Sequence, residues 1–227
     1  MLALTSGAAL SYAPAAPLVM RARAVSMGVK EDLANQLNPA VGYYDPLGLA
    51  DADFWSMGND ATWGFLRQAE IKHGRVAMFA FCGYIAQANG IHFPYFMGEP
   101  TSGATPEEQW FNLPLAGRAQ IIAFIGFLEW WGEYGGETHY MKGGKPGTYP
   151  PFKVPIHTMP DLYDPFGIAK KNSDEKKAKG LLAEINNGRL AMIGIFGFIA
   201  EAKVPGSVPA LDGLIPQFTG DVMAPLM

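Results

Sequence analysis

Two stretches of this chain set polar residues at the head of a long apolar run, and the second repeats the first. Residues 69–78 read Ala-Glu-Ile-Lys-His-Gly-Arg-Val-Ala-Met, and residues 183–192 read Ala-Glu-Ile-Asn-Asn-Gly-Arg-Leu-Ala-Met. Apolar residues and glycines then continue unbroken from Val76 to Ala86 and from Leu190 to Ala200. Gly90 and Pro94 stop the first run and Pro205-Gly206 the second, so the pattern predicts helices over 63–89 and 176–204. Residues 118–134 predict a middle helix that belongs to neither copy, followed by a loop marked by Gly143-Gly144-Lys145-Pro146-Gly147 and Pro150-Pro151. The duplication includes the approach to each helix: Tyr44-Asp45-Pro46-Leu47-Gly48 recurs as Tyr163-Asp164-Pro165-Phe166-Gly167.

The two apolar runs are 11 residues each, short of the roughly 18 that announce a membrane span. Charge placement speaks more clearly. Residues 88–117 contain no Lys or Arg, and Lys203 is the only one beyond residue 202. Lys30, Arg67 and Lys72 precede or head the first run, and Lys142, Lys145, Lys153, Lys170, Lys171, Lys176, Lys177 and Lys179 lie between the middle and last helices. Three crossings with the N-terminus on the positive side produce that asymmetry. Trp55, Trp63, Trp110, Trp130 and Trp131 fall near the helix ends, where interfacial anchors belong. The expected fold is an all-α membrane protein of three transmembrane helices, the first and third crossing as a pseudo-two-fold pair and the second peripheral.

Composition agrees: 49% of residues are hydrophobic and 17% charged, against about 25% charged in soluble domains. A net charge of -4 with no basic stripe sets nucleic acid aside. Cys82 is the single cysteine, cannot form an internal disulfide, and reads as a small core residue. Residues 1–28 are rich in Ala, Ser and Pro, carry Arg21 and Arg23, and have no acid before Glu31. They read as a plastid or mitochondrial targeting leader or its remnant, leaving 29–227 as the folded domain.

On a helix, Glu70 and His73 lie about 60° apart, whereas Glu70 and Arg75 lie about 140° apart and cannot pair comfortably. Crossing about a local two-fold lets Glu70 meet Arg189 and Glu184 meet Arg75, which turns four costly charges into two pairs. Gly74 and Gly188 would let the backbones approach there. Each paired Glu is expected to keep one oxygen facing outward, close to His73 in one copy and Asn187 in the other. Further donors follow: Gln87 and its repeat partner Glu201, with Gln120 and Glu129 on the middle helix. Oxygen and nitrogen donors spread singly along three helices suggest several one-ligand metal centres rather than one cage.

These residues resemble the chlorophyll-binding light-harvesting antenna superfamily, in particular its chlorophyll a/c branch. The resemblance rests on Glu70-x-x-His73-Gly74-Arg75-x-Ala77-Met78, Glu184-x-x-Asn187-Gly188-Arg189-x-Ala191-Met192, the two Tyr-Asp-Pro-x-Gly loops and Pro205-Gly206-Ser207-Val208-Pro209. It runs from about Val29 to the C-terminus. His139 to Gly147 and Ile91 to Pro94 look most like the dinoflagellate peridinin or haptophyte fucoxanthin type. The resemblance implies a plastid thylakoid protein, N-terminus stromal, binding chlorophyll a, chlorophyll c and a carotenoid: peridinin or a fucoxanthin-like pigment, with diadinoxanthin a further candidate. It implies Glu70, His73, Gln120, Glu129, Glu184 and Asn187 as axial ligands to chlorophyll magnesium, with Gln87 and Glu201 as further pigment contacts. Glu201 stands where relatives often carry Gln. The tail lacks the His of green-plant relatives, so that site is absent or bound through Gln217. Asp45 and Asp164 are implied at the carotenoid ends.

The implied partners are a photosystem I or II core, neighbouring antenna subunits and thylakoid lipids. The implied role is excitation transfer rather than enzyme catalysis, with an energy-dissipating member of the family as the alternative. A di-iron carboxylate enzyme shares the Glu-x-x-His unit, but Asn187 replaces its second His. A transporter would want a polar stripe through the membrane, whereas each helix turns apolar beyond its Arg.

Overall fold

The computed structural model describes residues 32–91, 105–135, 138–150 and 172–221, and every regular element among them is helical. The chain divides into two units, Met1–Pro46 and Leu47–Met227. In the first, residues 32–37 are helical and the Asn38 side chain then accepts the amides of Ala40 and Val41 at 3.1 and 3.4 Å. Tyr43 donates its hydroxyl to Asp45 Oδ2 at 3.3 Å.

In the second unit α1 spans Asn59–Ala88. It starts earlier than Trp63 because Asp53 collects the amides of Met57 and Gly58 at 3.0 and 3.2 Å, and Asp60 sits in the first turn, where negative charge suits the helix dipole. Helix α2, Pro106–Asn112, has no counterpart in the sequence reading. Thr105 and Glu108 form a reciprocal capping box at its start, with Pro106 at the first helical position. Leu113-Pro114 end it, and α3 runs from Leu115 to Tyr134 at 106° to it. Helix α4 spans Asp174–Lys203, capped by Ser173.

Helix-on-helix packing is concentrated where α1 crosses α4. The crossing point is Gly74 on Gly188: a Cβ on Gly74 would lie 3.0 Å from the Gly188 Cα, and the converse distance is 2.9 Å. Phe81 stacks on Phe198 below it, with Gly194 under the Phe81 ring. The two ends of the crossed pair are closed differently. At one, residues 138–150 lie on α1: the Tyr140 carbonyl fills the space over Gly64, Gly147 donates its amide to Gln68 Oε1 at 2.6 Å, and Tyr149 reaches α3 to donate to the Leu128 carbonyl at 2.9 Å. At the other, Gln109 of α2 donates to the Gln87 carbonyl at 3.1 Å, Phe111 stacks on Phe218, and Phe218 N–H bonds the Ala202 carbonyl. Helix α3 has no extended packing against another helix among the described residues.

Among the described residues no single helix is long and apolar enough to cross a membrane alone; α2 and α3 together reach that length and composition, but across their bend. The expected three single-helix spans are therefore not reproduced by this measure. The reason is local: α1 carries Arg67, Glu70, Lys72 and Arg75 near its middle and α4 carries Glu184 and Arg189, so each apolar stretch is interrupted. Cys82 is exposed on α1, not in a core, because the apolar run faces outward there.

Candidate functional site

The site is built from the α1/α4 crossing outwards. With the backbones in contact at Gly74 and Gly188, side chains one turn away reach across. Arg189 Nε donates to Glu70 Oε1 at 2.8 Å and its Nη2 lies 2.7 Å from the same oxygen. Arg75 Nε donates to Glu184 Oε1, and Arg75 Nη1 ties the crossing to the loop by donating to the Gly147 carbonyl at 2.8 Å. The pairs are reciprocal, but their surroundings are not. Glu70 Oε2 accepts from buried Arg67, three residues earlier, so both of its oxygens are engaged and the expected free oxygen is absent. In the second copy Leu181 stands where Arg67 does, and Glu184 Oε2 has no partner among the described residues.

His73 and Asn187 are both exposed, one residue before each crossing glycine. His73 Nδ1 lies 2.8 Å from the Ala69 carbonyl. A carbonyl only accepts, so Nδ1 carries a proton, and in the neutral imidazole Nε2 keeps its lone pair. Asn187 Nδ2 donates to the Ala183 carbonyl at 2.9 Å, which leaves Oδ1 as the acceptor. The two copies thus use the same backbone carbonyl, four residues back, to aim one uncommitted acceptor outward. Below each donor runs an apolar ladder at i+3 and i+6: Val76 and Phe79 in one copy, Leu190 and Ile193 in the other, exposed by 68%, 83%, 68% and 72% respectively. That donor set suits a flat apolar group that carries a cation needing one axial ligand. A cleft of 790 Å³ runs along α4 from Glu184, lined by Ile71, Arg75, Tyr149 and Leu181.

The remaining candidates are scattered. Gln120 is exposed on α3 and Gln87 half-buried on α1, and neither side-chain amide has a hydrogen-bond partner among the described residues. Gln87 lines a cleft of 510 Å³ with Tyr84 and Pro216. Glu129 is exposed on α3, its Oε2 against Lys72 Nζ. Glu201 is 2% exposed and faces the tail: its oxygens accept the amides of Gly206 and Val208 at 2.7 and 2.8 Å and the Ser207 hydroxyl at 3.4 Å. Gln217 is exposed. Asp45 accepts from Tyr43; Asp164 lies outside the described residues. No cluster of three or more His, Cys, Asp or Glu able to hold a metal occurs among the described residues.

Sequence reasoning missed Arg67, Lys72 and the group around Glu133. Glu133 accepts from His139 Nε2 at 2.7 Å and from the Tyr140 hydroxyl at 3.0 Å. Burial, followed by the bond to Glu133, pushes the Tyr140 phenol up to about 12, so it stays a donor. Spacing within one helix could have found Arg67, at i−3 from Glu70; nothing in the sequence links Lys72 to residues 57 and 61 positions away.

The architecture defines a class: helical proteins that present polar atoms one at a time from an apolar exterior. The chain belongs to the chlorophyll A-B binding protein family, whose pattern it matches over residues 29–203. It is 33% identical to the chloroplastic fucoxanthin-chlorophyll a-c binding protein of Trieres chinensis, over 91% of this chain and 95% of that one. It is also 33% identical to fucoxanthin-chlorophyll a-c binding protein A of Phaeodactylum tricornutum, over 87% and 92%. With protein B of Macrocystis pyrifera the identity is 30%, over 85% and 81%.

Proposed function

We propose that this chain is a light-harvesting antenna of the chloroplast thylakoid, spanning the membrane three times with its N-terminus stromal. It holds chlorophyll a, chlorophyll c and a fucoxanthin-type carotenoid, and passes excitation to a photosystem and to neighbouring antenna subunits. The relatives' names supply the pigment class and the compartment. The observation that carries the reading is the matched pair of acceptors, His73 Nε2 and Asn187 Oδ1, each heading an exposed apolar ladder.

A magnesium already held in a macrocycle needs only one or two further donors, and neutral donors leave no net charge in hydrocarbon. A neutral imidazole at His73 and the Asn187 amide bring no charge, and Glu184 is neutralised by Arg75 while keeping Oε2. Glu70 serves through the second lone pair of a carboxylate shared by two guanidinium groups. Gln120 and Glu129 complete the donors, Gln87 is assigned as a further pigment contact, and Asp45 and Asp164 are assigned to the carotenoid ends. Glu201 is assigned to the tail turn. The pigments supply absorption and excitation transfer; the protein supplies spacing and orientation and makes or breaks no bond.

Three features support the membrane arrangement. The 20 residues of α3 rise about 30 Å, the thickness of a hydrocarbon core. The end closed by residues 138–150 carries Lys142 and Lys145, whereas Arg118 and Lys203 are the only Lys or Arg among described residues of the α2 and tail end. Large apolar side chains stand exposed on α1, α3 and α4.

The test is the absorption and fluorescence-excitation spectrum of the detergent-solubilised protein, with its pigments extracted and identified. Chlorophyll a and c with a keto-carotenoid, all sensitising chlorophyll a emission, is the expected result. Strongly shortened emission would move the assignment to energy dissipation. A folded, colourless protein would overturn it.

A further inference from the structure

We propose that Lys72 is the positioning residue that makes Glu129 usable as a magnesium ligand, an inference that rests on the antenna reading above. Glu70 and Glu184 are each neutralised by the arginine of the opposite copy. Helix α3 belongs to neither copy and has no such partner. Its own arginine, Arg118, lies 11 residues before Glu129, about 16 Å along the helix. An uncompensated carboxylate on an apolar helix is costly.

The compensation comes from α1. Lys72 Nζ contacts Glu129 Oε2 and lies 3.6 Å from Glu133 Oε1. Glu133 has two other donors. His139 Nδ1 accepts the Met141 amide at 3.2 Å, which puts the imidazole proton on Nε2, facing Glu133, and the Tyr140 hydroxyl adds a second bond. Glu129 has Lys72 alone among the described residues, and its Oε1 is uncommitted. The repeat isolates this role: Asn186 stands at the equivalent place in α4, so a cation at position 72 is not part of the duplicated motif. Lys72 offsets the charge of Glu129 as the arginines do for the crossed pair, while Glu133 is held mainly by its two neutral donors, and one Glu129 oxygen is left as a donor.

The competing role is a strut, with Lys72 spacing α3 from α1 and nothing more. An amide separates the two, because Gln at position 129 offers an oxygen donor that needs no cation. Chlorophyll per polypeptide and the absorption difference spectrum are measured on purified, pigment-reconstituted full chain. Lys72→Met is expected to lose one chlorophyll, Lys72→Arg to keep it, and Lys72→Met/Glu129→Gln to regain it. Full pigment in Lys72→Met, or no recovery in the double variant, would overturn the proposal. If Lys72→Met does not assemble, the double variant decides: full pigment supports the ligand role and failure leaves only the strut. Glu129→Leu tests the underlying reading separately. If it retains every chlorophyll, Glu129 holds none and the ligand assignment itself falls; if it loses one while Lys72→Met does not, only the Lys72 inference falls.

Discussion

Glu70 and Glu184 are equivalent by sequence but not by environment. Glu70 is held by Arg189 and by Arg67, whereas Glu184 has Arg75 alone, and Arg75 also anchors Gly147. Replacing Arg189 with Leu leaves Glu70 one guanidinium, so the cost should approach that of an exposed pair, about 1 kcal/mol. Arg75→Leu leaves Glu184 without a guanidinium and frees the loop, so its cost should be larger, about 2 kcal/mol. Thermal unfolding of the two variants, with a chlorophyll count, should rank Arg75→Leu as clearly worse; equal losses would show that Arg67 contributes nothing. The crossed pairing was legible because 140° of helix separates Glu from Arg within one copy and the motif is repeated. The inequality was not, since Arg67 lies outside the duplicated residues and Leu181 replaces it. The tautomer of His73 was hidden for another reason: it is fixed by a carbonyl one turn back, a contact that composition does not display.

At the scale of elements, the crossing depends on two glycines with no room for a side chain. A Cβ at either would come within 3.0 Å of backbone on the other helix, which cannot yield as a flexible side chain does. Gly188→Val should force the helices apart, weaken both ion pairs at once and cost about 3 kcal/mol or more, at the upper end of overpacking. Gly117→Ala, where nothing lies within 4 Å, should be neutral or stabilise by roughly 0.5 kcal/mol through helix propensity. Urea or thermal unfolding of the two variants checks this, and a Gly188→Val protein as stable as its parent would remove the close crossing as a requirement. The all-helical class was legible from the long apolar runs and the glycines and prolines that stop them. Helix α2 was overlooked although Thr105-Pro106-Glu107-Glu108 spells a capping box, because seven residues carry too little periodicity to announce themselves. The ends of α1 and α3 moved because capping by Asp53 and the turn at Pro114 act before the apolar pattern begins.

Across the whole molecule, burial is inverted. Among the described residues the largest fully buried side chains are Glu201 and Thr62, and Arg67, Gln68, Gln109 and Arg118 are buried too, while Phe79, Phe124, Trp130, Ile193 and Phe196 stand exposed. In water that surface would aggregate; on the antenna reading, lipid and bound pigment are the surroundings that make it stable. Helix α3 extends the point, since among the described residues it is joined to α1 by Lys72, by the loop through Tyr149, and by α2 at its other end, without extended packing on another helix. Among the described residues, contacts within the polypeptide hold the crossed pair far more extensively than α3. Removing pigment in mild detergent should lower far-ultraviolet helical signal by up to roughly the share contributed by α3, while α1 and α4 hold each other through the glycine crossing and the ion pairs. Unfolding should lose cooperativity, because stability supplied by ligands disappears with them. Returning chlorophyll and carotenoid should restore both helicity and a sharp transition. An apoprotein with full helical content and cooperative melting would mean that α3 is secured by the polypeptide alone, and that the exposed apolar faces serve lipid without serving pigment.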